Sequence, residues 1–314
     1  MAELVNSFSW SASRARLFLT CHRAYFFNHY GMWGGWSAQA PPRTRLAYRL
    51  KNMTALPFLG GSLVHETIQQ AVELGQRQAR GELDVAEVDR RLTTESLQRE
   101  ARARMVTAWR QSRDRAWLRD PKRNCNLFEH YYGLPQEQVD AAALATREKV
   151  FRCLAHFREG EAWQRLAAAG PARWLSCEEL QQLPVADVPV WVQLDLVLEE
   201  DDGLHLIDWK TGHPGDEDAE QLAVYALYAT TRWPAWPLAQ LTMELHYLDA
   251  GEVRRQPVDQ EVIAAARARI GRSAAEMRRL LRDPAKNLAV EEDFAQTSDL
   301  AVCGRCRFKE LCER

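Results

Sequence analysis

The sequence predicts an α/β protein, a mixed sheet flanked by helices and decorated by a helical insertion. Three observations predict it. Up to Ala172 the chain is dominated by helix-favouring residues whose apolar members recur at helical spacing. Beyond Ala172 come short β-rich segments joined by turn residues. A further helical pattern interrupts those segments before a last helix and a cysteine-rich tail, the order expected of a sheet with an inserted crossover.

Composition narrows the class. The 314 residues are 46% hydrophobic and 27% charged, with a formal net charge of −2, which excludes disordered, collagen-like and low-complexity chains. That length allows a sizeable core. No apolar run is long enough to span a membrane, and the N-terminus lacks the apolar region of a secretory signal, so a cytoplasmic location is expected. The near-zero charge gives no overall support for nucleic-acid binding, although a local patch can hide inside the average. Seven cysteines in such a chain point to metal ligation or buried thiols rather than a disulfide framework. Of the 41 basic residues only 6 are lysine, which draws attention to each one, because arginine cannot replace a compact point charge.

The elements follow in order. Ser9 to Tyr30 reads as one helix, with Ser9, Ser11 and Ser13 as caps and Leu17, Phe18, Cys21, Tyr25 and Phe26 at helical spacing. The Gly/Trp-rich run GMWGGWSAQAPP reads as a loop. A second helix is expected after Gly60-Gly61, with His65, Ile68 and Val72 on one stripe. Val85 to Leu118 is charged and helix-favouring, and Gln136 to Ala169 forms another helix. ARWLSCEEL, VPVWVQLDLVLEE and LHLIDWKTG read as strands, the last two joined by a hairpin at Asp201-Asp202-Gly203. A helix over Asp218 to Thr231, a strand AQLTMELHYLD and a helix over Gln260 to Arg282 complete the series.

Chemistry concentrates in the hairpin. Asp195 lies within an apolar strand, while Asp208 and Lys210, separated by one residue, emerge on the same sheet face. An apolar strand excludes unpartnered charges, and two carboxylates meeting across a hairpin repel unless a cation lies between them. A hard divalent ion such as Mg²⁺ or Mn²⁺ suits oxygen ligands of this kind, and Lys210 beside it could polarise water or balance charge on a phosphate. The plain alternative for a bare D-x-K is a surface ion pair. The buried context LHLID and the second aspartate favour the metal site. His65 adds an imidazole, the alternative being a satisfied core histidine. Gln221 and Tyr225 share one helix face at i,i+4. Strand alternation lets only one of Glu178 and Glu179 face the site, and Glu178 is preferred.

These residues together resemble the PD-(D/E)XK nuclease superfamily, in particular its RecB-like branch, which includes helicase–nuclease and CRISPR-adaptation nucleases. The branch pattern G-x-x-x-H, strand Asp, D-h-K-T-G and Q-x-x-x-Y matches Gly61/His65, Asp195, Asp208 to Gly212 and Gln221/Tyr225 in the same order. The glycine usually found three residues before the strand Asp is Val192 here. The resemblance implies a restriction-endonuclease-like sheet and a DNA nuclease dependent on Mg²⁺ or Mn²⁺. It implies His65, Asp195, Asp208 and the Trp209 carbonyl as metal ligands, and Lys210 as the residue that orients water or stabilises the transition state.

Cys303, Cys306 and Cys312 form C-x2-C-x5-C, a spacing of metal or cluster ligands in a cytosolic chain. The segment around Cys21 resembles the same branch's N-terminal cysteine motif, with His22 in place of proline. The resemblance thus implies that Cys21, Cys303, Cys306 and Cys312 hold a 4Fe-4S cluster joining the two chain ends. Spacing alone leaves zinc as the alternative occupant. Cys125, Cys153 and Cys177 read as buried bystander thiols.

Four segments are expected on this basis: a cluster-associated N-terminal segment (1–60), a helical region with the insertion (61–170), the nuclease core (171–255) and the C-terminal helix with its cluster tail (256–314). Arg14, Arg16, Arg23 and Tyr25, with His29, Tyr30, Trp33 and Trp36, form a basic–aromatic stretch suited to single-stranded DNA, the alternative being core aromatics on an amphipathic helix. The resemblance favours single strands or free ends as substrate. Other readings are a nuclease subunit partnered by a helicase or a defence or CRISPR-associated assembly, and a catalytically silent nucleic-acid-binding relative. No P-loop occurs, so the chain is not itself a motor.

Overall fold

The computed structural model describes residues 5–313, with side chains throughout except at Asp216 and Glu217. Helix α1 (Ala12–Thr20) begins where the Ser11 hydroxyl accepts the Arg14 N–H at 3.1 Å. The single helix expected to Tyr30 breaks at Cys21, whose backbone is extended. Helix α2 (His22–Phe26) restarts there and ends in one π-type turn over Phe27–Gly31. Helix α3 (Pro42–Lys51) and a short strand β1 (Met53–Thr54) lead into α4 (Leu56–Ala79).

Helix α4 starts before Gly60-Gly61 rather than after them. Both glycines lie inside the helix, against the ordinary propensity cost, because neighbours press on them. A Cβ on Gly60 would stand 2.7 Å from Thr146 Cγ2, and one on Gly61 would stand 3.2 Å from Thr211 Oγ1. The charged region divides into α5 (Val85–Arg91) and α6 (Thr94–Arg113), capped by Asp84 and Thr93. Strand β2 (Asn126–Leu127) pairs in parallel with β1 and runs into α7 (Phe128–Tyr131). The helix expected over Gln136 to Ala169 is two, α8 (Gln136–Glu159) and α9 (Glu161–Ala169). Gly160 makes the break, since a Cβ there would fall 2.2 Å from the His156 carbonyl oxygen.

The strands are β3 (Trp174–Ser176), β4 (Glu179–Val185), β5 (Val188–Leu194), β6 (Leu196–Glu200) and β7 (Gly203–Lys210). After α10 (Asp216–Arg232) come β8 (Leu241–Tyr247), β9 (Glu252–Pro257), α11 (Gln260–Arg279) and α12 (Leu300–Gly304). The central sheet has the order β3-β6-β7-β8-β9. Strands β6 and β7 form the antiparallel hairpin, whereas β7 and β8 are parallel, linked by α10, so the sheet is mixed. The strand expected over Val188 to Glu200 is cut at Asp195. β5 pairs with β4 as a separate antiparallel ribbon, and β6 enters the central sheet. Strand β9 escapes a reading by alternation because its residues Glu252 to Pro257 are largely exposed at the sheet edge.

Both faces of β7 are buried, which explains its nearly continuous apolar run. Leu204 and Leu206 join a core shared with α10, α11 and the two terminal segments. Ile207 and Trp209 join a second core with α4, α8 and α9. Asp208 and Lys210 therefore lie toward α10 at the strand's end. Among the described residues no helix is long and apolar enough to cross a membrane.

Candidate active site

Three elements converge at the break in the chain before β6. His65 comes from the third turn of α4, Asp195 from the cut between β5 and β6, and Glu178 from the bend before β4, where its backbone is left-handed (φ 51°). His65 Nδ1 lies 3.0 Å from Glu178 Oε1 and 3.5 Å from Asp195 Oδ1. One ligand atom from each of the three falls within 4.8 Å of the others. Glu178 is held by Gln193, whose Nε2 donates to its Oε2 at 2.6 Å. Glu179 lies outside the group and accepts instead from Gln181. Strand alternation is not what separates the two glutamates; the turn at Glu178 is.

The cut at Asp195 also frees the edge of β7. Pairing with β6 stops at Leu196–Ile207, so the Trp209 N–H donates to Asp195 Oδ2 at 2.7 Å instead of to a strand. The Lys210 carbonyl accepts from Leu248 on the β8 side, so by strand alternation the Trp209 carbonyl projects to the same open edge as its N–H.

Asp208 is fully buried behind this cluster. Lys210 Nζ stands 2.6 Å from its Oδ2 and forms an ion pair with it. Burial raises the Asp208 pKa first, the nearby Asp195 charge raises it further, and Lys210 opposes both. Lys210 Nζ donates to Gln221 Oε1 at 3.0 Å and lies 3.5 Å from Asp218 Oδ1. Although burial works against its charge, Asp208 and Asp218 hold its pKa above the ordinary value. Gln221 Nε2 in turn donates to Asp208 Oδ1 at 3.3 Å and to the Tyr225 hydroxyl at 2.5 Å. Burial first, then Asp208 and Asp195, raises the pKa of that hydroxyl well above its ordinary value. Asp218 was not anticipated. It accepts from the Tyr247 hydroxyl and the Gly215 N–H, each at 3.0 Å, and its one sequence signal was the acidic first turn of α10.

The donor set fits a hard cation: two carboxylates and one imidazole within ligand reach, a third carboxylate paired with Lys210 behind them and a carbonyl at an open edge. For the imidazole, burial opposes a charge but Asp195 and Glu178 outweigh it, so its pKa is raised well above the usual value.

A second group of the same kind, Glu200, Asp202 and His205, lies on the other face of β7. Here Arg165 binds Glu200 and donates to Glu244 at 2.7 Å, and His205 Nδ1 lies 2.6 Å from the buried Glu244. These charges satisfy one another and brace α9 against the sheet.

Cys21, Cys303, Cys306 and Cys312 line one small cavity between the chain ends, together with Gln296, Thr297 and Lys309. No disulfide joins any cysteine. Burial, then Cys306 and Cys21, pushes the Cys312 thiol up to about 11. Cys153 is buried in the second core. Cys177, expected as a bystander, adjoins Glu178, and burial followed by that carboxylate raises its pKa.

The basic–aromatic stretch is corrected. Arg14 is 7% exposed, and its guanidinium donates to the Tyr25, Tyr30 and Ser9 hydroxyls at 3.1–3.2 Å. Tyr25 is wholly buried. Arg23 donates to the Phe294 carbonyl at 2.7 Å and to Glu291 at 2.9 Å. The C-terminal segment folds across this face, so these three stabilise the chain-end packing rather than offer a surface for a strand. Of the four, Arg16 is exposed. Burial, with help from Arg14, lowers the His29 pKa to about 2 and keeps its ring neutral.

The sequence profile of the PD-(D/E)XK nuclease superfamily matches residues 9–313. No curated protein matches the chain.

Proposed function

The chain belongs to the PD-(D/E)XK nuclease superfamily, and from that membership we propose that it is a DNA nuclease using Mg²⁺ or Mn²⁺ to hydrolyse phosphodiester bonds in single strands or at free ends. The convergence of His65, Glu178 and Asp195 beside the Asp208–Lys210–Gln221 group carries this reading. In it, His65, Asp195, Asp208, the Trp209 carbonyl and Glu178 hold the cation. When bound there, a divalent ion supplies Lewis-acid polarisation of a phosphate oxygen and a more acidic bound water. Lys210, kept charged by two aspartates, stabilises charge developing on the phosphate. Gln221 fixes the ammonium's position, and Tyr225 fixes Gln221. The burial of these groups makes each hydrogen bond electrostatically stronger than in water.

The same proposal includes a 4Fe-4S cluster on Cys21, Cys303, Cys306 and Cys312. All four line one cavity, which supports a shared ligand. Tetrahedral zinc with Zn–S bonds near 2.3 Å needs sulfurs about 3.8 Å apart. Metal and sulfide analysis distinguishes such a zinc site from the larger cluster.

The test is digestion of end-labelled single- and double-stranded DNA with Mn²⁺ or Mg²⁺. Lys210→Ala is expected to slow cleavage about 10²- to 10³-fold, the usual cost of losing one transition-state donor. Asp208→Asn is expected to abolish it. Equal degradation by wild type and both variants would overturn the site assignment. Stoichiometric zinc without iron in protein purified anaerobically would overturn the cluster.

A further inference from the structure

We propose that Phe58 is a stacking platform that holds one base of a single nucleic-acid strand over the first turns of α4, so that a nearby phosphate reaches the His65–Glu178–Asp195 group. The inference rests on the nuclease reading and deepens it. Phe58 is 76% exposed, more than any other large hydrophobic residue among those described. A lone exposed phenyl is unremarkable on a surface. Its position is not. Seven residues separate Phe58 from His65 on α4, which is 20° short of two full turns, so the two side chains lie on one stripe about 10.5 Å apart along the axis. A strand stacked at about 3.4 Å per nucleotide covers that distance in about three residues.

Gly61 lies between them on this stripe. Having no side chain, it lets Thr211, next to Lys210, approach to within contact of the helix. By that contact the end of β7 lies beside the helix stripe that runs from Phe58 to His65. Pro57 in the first turn of α4 sets the ring on a rigid helix rather than a loop, as a positioning platform requires.

The adjoining face of α4 borders a groove of about 830 Å³. Ser62 and Glu66 line it on the α4 side, with Lys122 and Arg123 across from them. Both cations are exposed, Arg123 lying 3.7 Å from Asp120, and the two carboxylates of the groove, Glu66 and Glu100, are engaged by Arg104 at 3.1 and 3.0 Å. An aromatic face beside a cationic wall is the combination that binds single strands, with bases on the ring and phosphates on the cations. An apolar partner would need a continuous patch. Around Phe58 the stripe instead carries Gly61, Ser62 and His65. A duplex would keep its bases paired and away from the ring.

Binding is read with an oligonucleotide carrying 2-aminopurine, in the Asp208→Asn background so that the strand persists. Anisotropy gives affinity and the 2-aminopurine emission gives stacking. The parent is expected to bind and quench. Phe58→Ala should lose about 5- to 100-fold in affinity and restore emission, whereas Phe58→Trp should keep both. Equal affinity and equal quenching in Phe58→Ala would overturn the platform while leaving the nuclease reading intact. A parent that binds no strand and a wild type that cuts none would overturn both.

Discussion

Arg14 carries its charge into the aromatic core at the chain ends, surrounded by the rings of Phe8, Tyr25 and Tyr30 within 5.2–5.9 Å. Its hydrogen bonds run to hydroxyls, and the Tyr30 hydroxyl continues to Asn287 at 3.1 Å. Such a residue holds structure together. Replacing it with methionine removes a desolvated cation–π contact and leaves buried hydroxyls short of a partner, a loss of about 2 kcal/mol. Arg14→Met is therefore expected to lower stability by that amount in denaturant titration while leaving single-strand affinity unchanged. A strand affinity that falls with stability intact would restore Arg14 to the binding surface. In the sequence the same arginine looked like a solvated helix face, because periodicity reports that a helix has two faces and not what folds across them. The covering segment, Asn287 to Phe294, is more than 250 residues away along the chain. By contrast the meeting of Asp208, Lys210, Gln221 and Tyr225 was legible, since these residues lie within one strand and the next helix.

At the scale of elements, α4 and the cut in the β5–β6 chain set the site. The apolar run VPVWVQLDLVLEE gives no sign of a break, because each half is a good strand. The break comes from tertiary pairing: β5 commits to β4, β6 commits to β7, and Asp195 is left between two sheets with its carboxylate on the open β7 edge. Helix α4 must then approach that edge closely enough for His65 to reach it. Gly61 permits the approach, with only 3.2 Å available to a Cβ before Thr211 Oγ1. Gly61→Val would wedge a branched side chain into that contact and shift His65 away from Glu178 and Asp195. Its expected signature is a fall of at least about tenfold in cleavage rate and in Mn²⁺ affinity by titration, since a small displacement of a ligand is costly. Global stability should stay within about 1 kcal/mol, because the helix seats elsewhere against Thr146 and Trp174. A variant with normal metal affinity and rate would show that the close approach at Gly61 is not what places the histidine.

The whole molecule is tied at its ends. Trp10 donates its indole N–H to Ser273 at 3.2 Å and pairs with β5, Arg43 reaches the Leu311 carbonyl, and Arg307 donates to the Lys51 and Met53 carbonyls at 2.7 and 3.1 Å. These bonds bring Cys21 to the cavity shared with Cys303, Cys306 and Cys312 without any covalent link. A ligand joined to all four thiols would close almost the entire chain into one loop. By loop-closure arithmetic that constraint removes on the order of 5 kcal/mol of unfolded-state entropy. The noncovalent ties remain when a thiol is removed, so the fold is expected to survive with a lower margin. Cys306→Ser should lose iron, sulfide and colour, keep its secondary structure by circular dichroism, and melt roughly 5–10 °C below the wild type. Because the site of His65, Glu178 and Asp195 is built from α4 and the sheet, the variant should still cut DNA at temperatures well below its melting point. Complete unfolding on loss of the cluster would mean that the ties among Trp10, Arg43 and Arg307 do not hold the ends by themselves. An unchanged melting temperature with iron absent would instead remove the cluster from any role in stability.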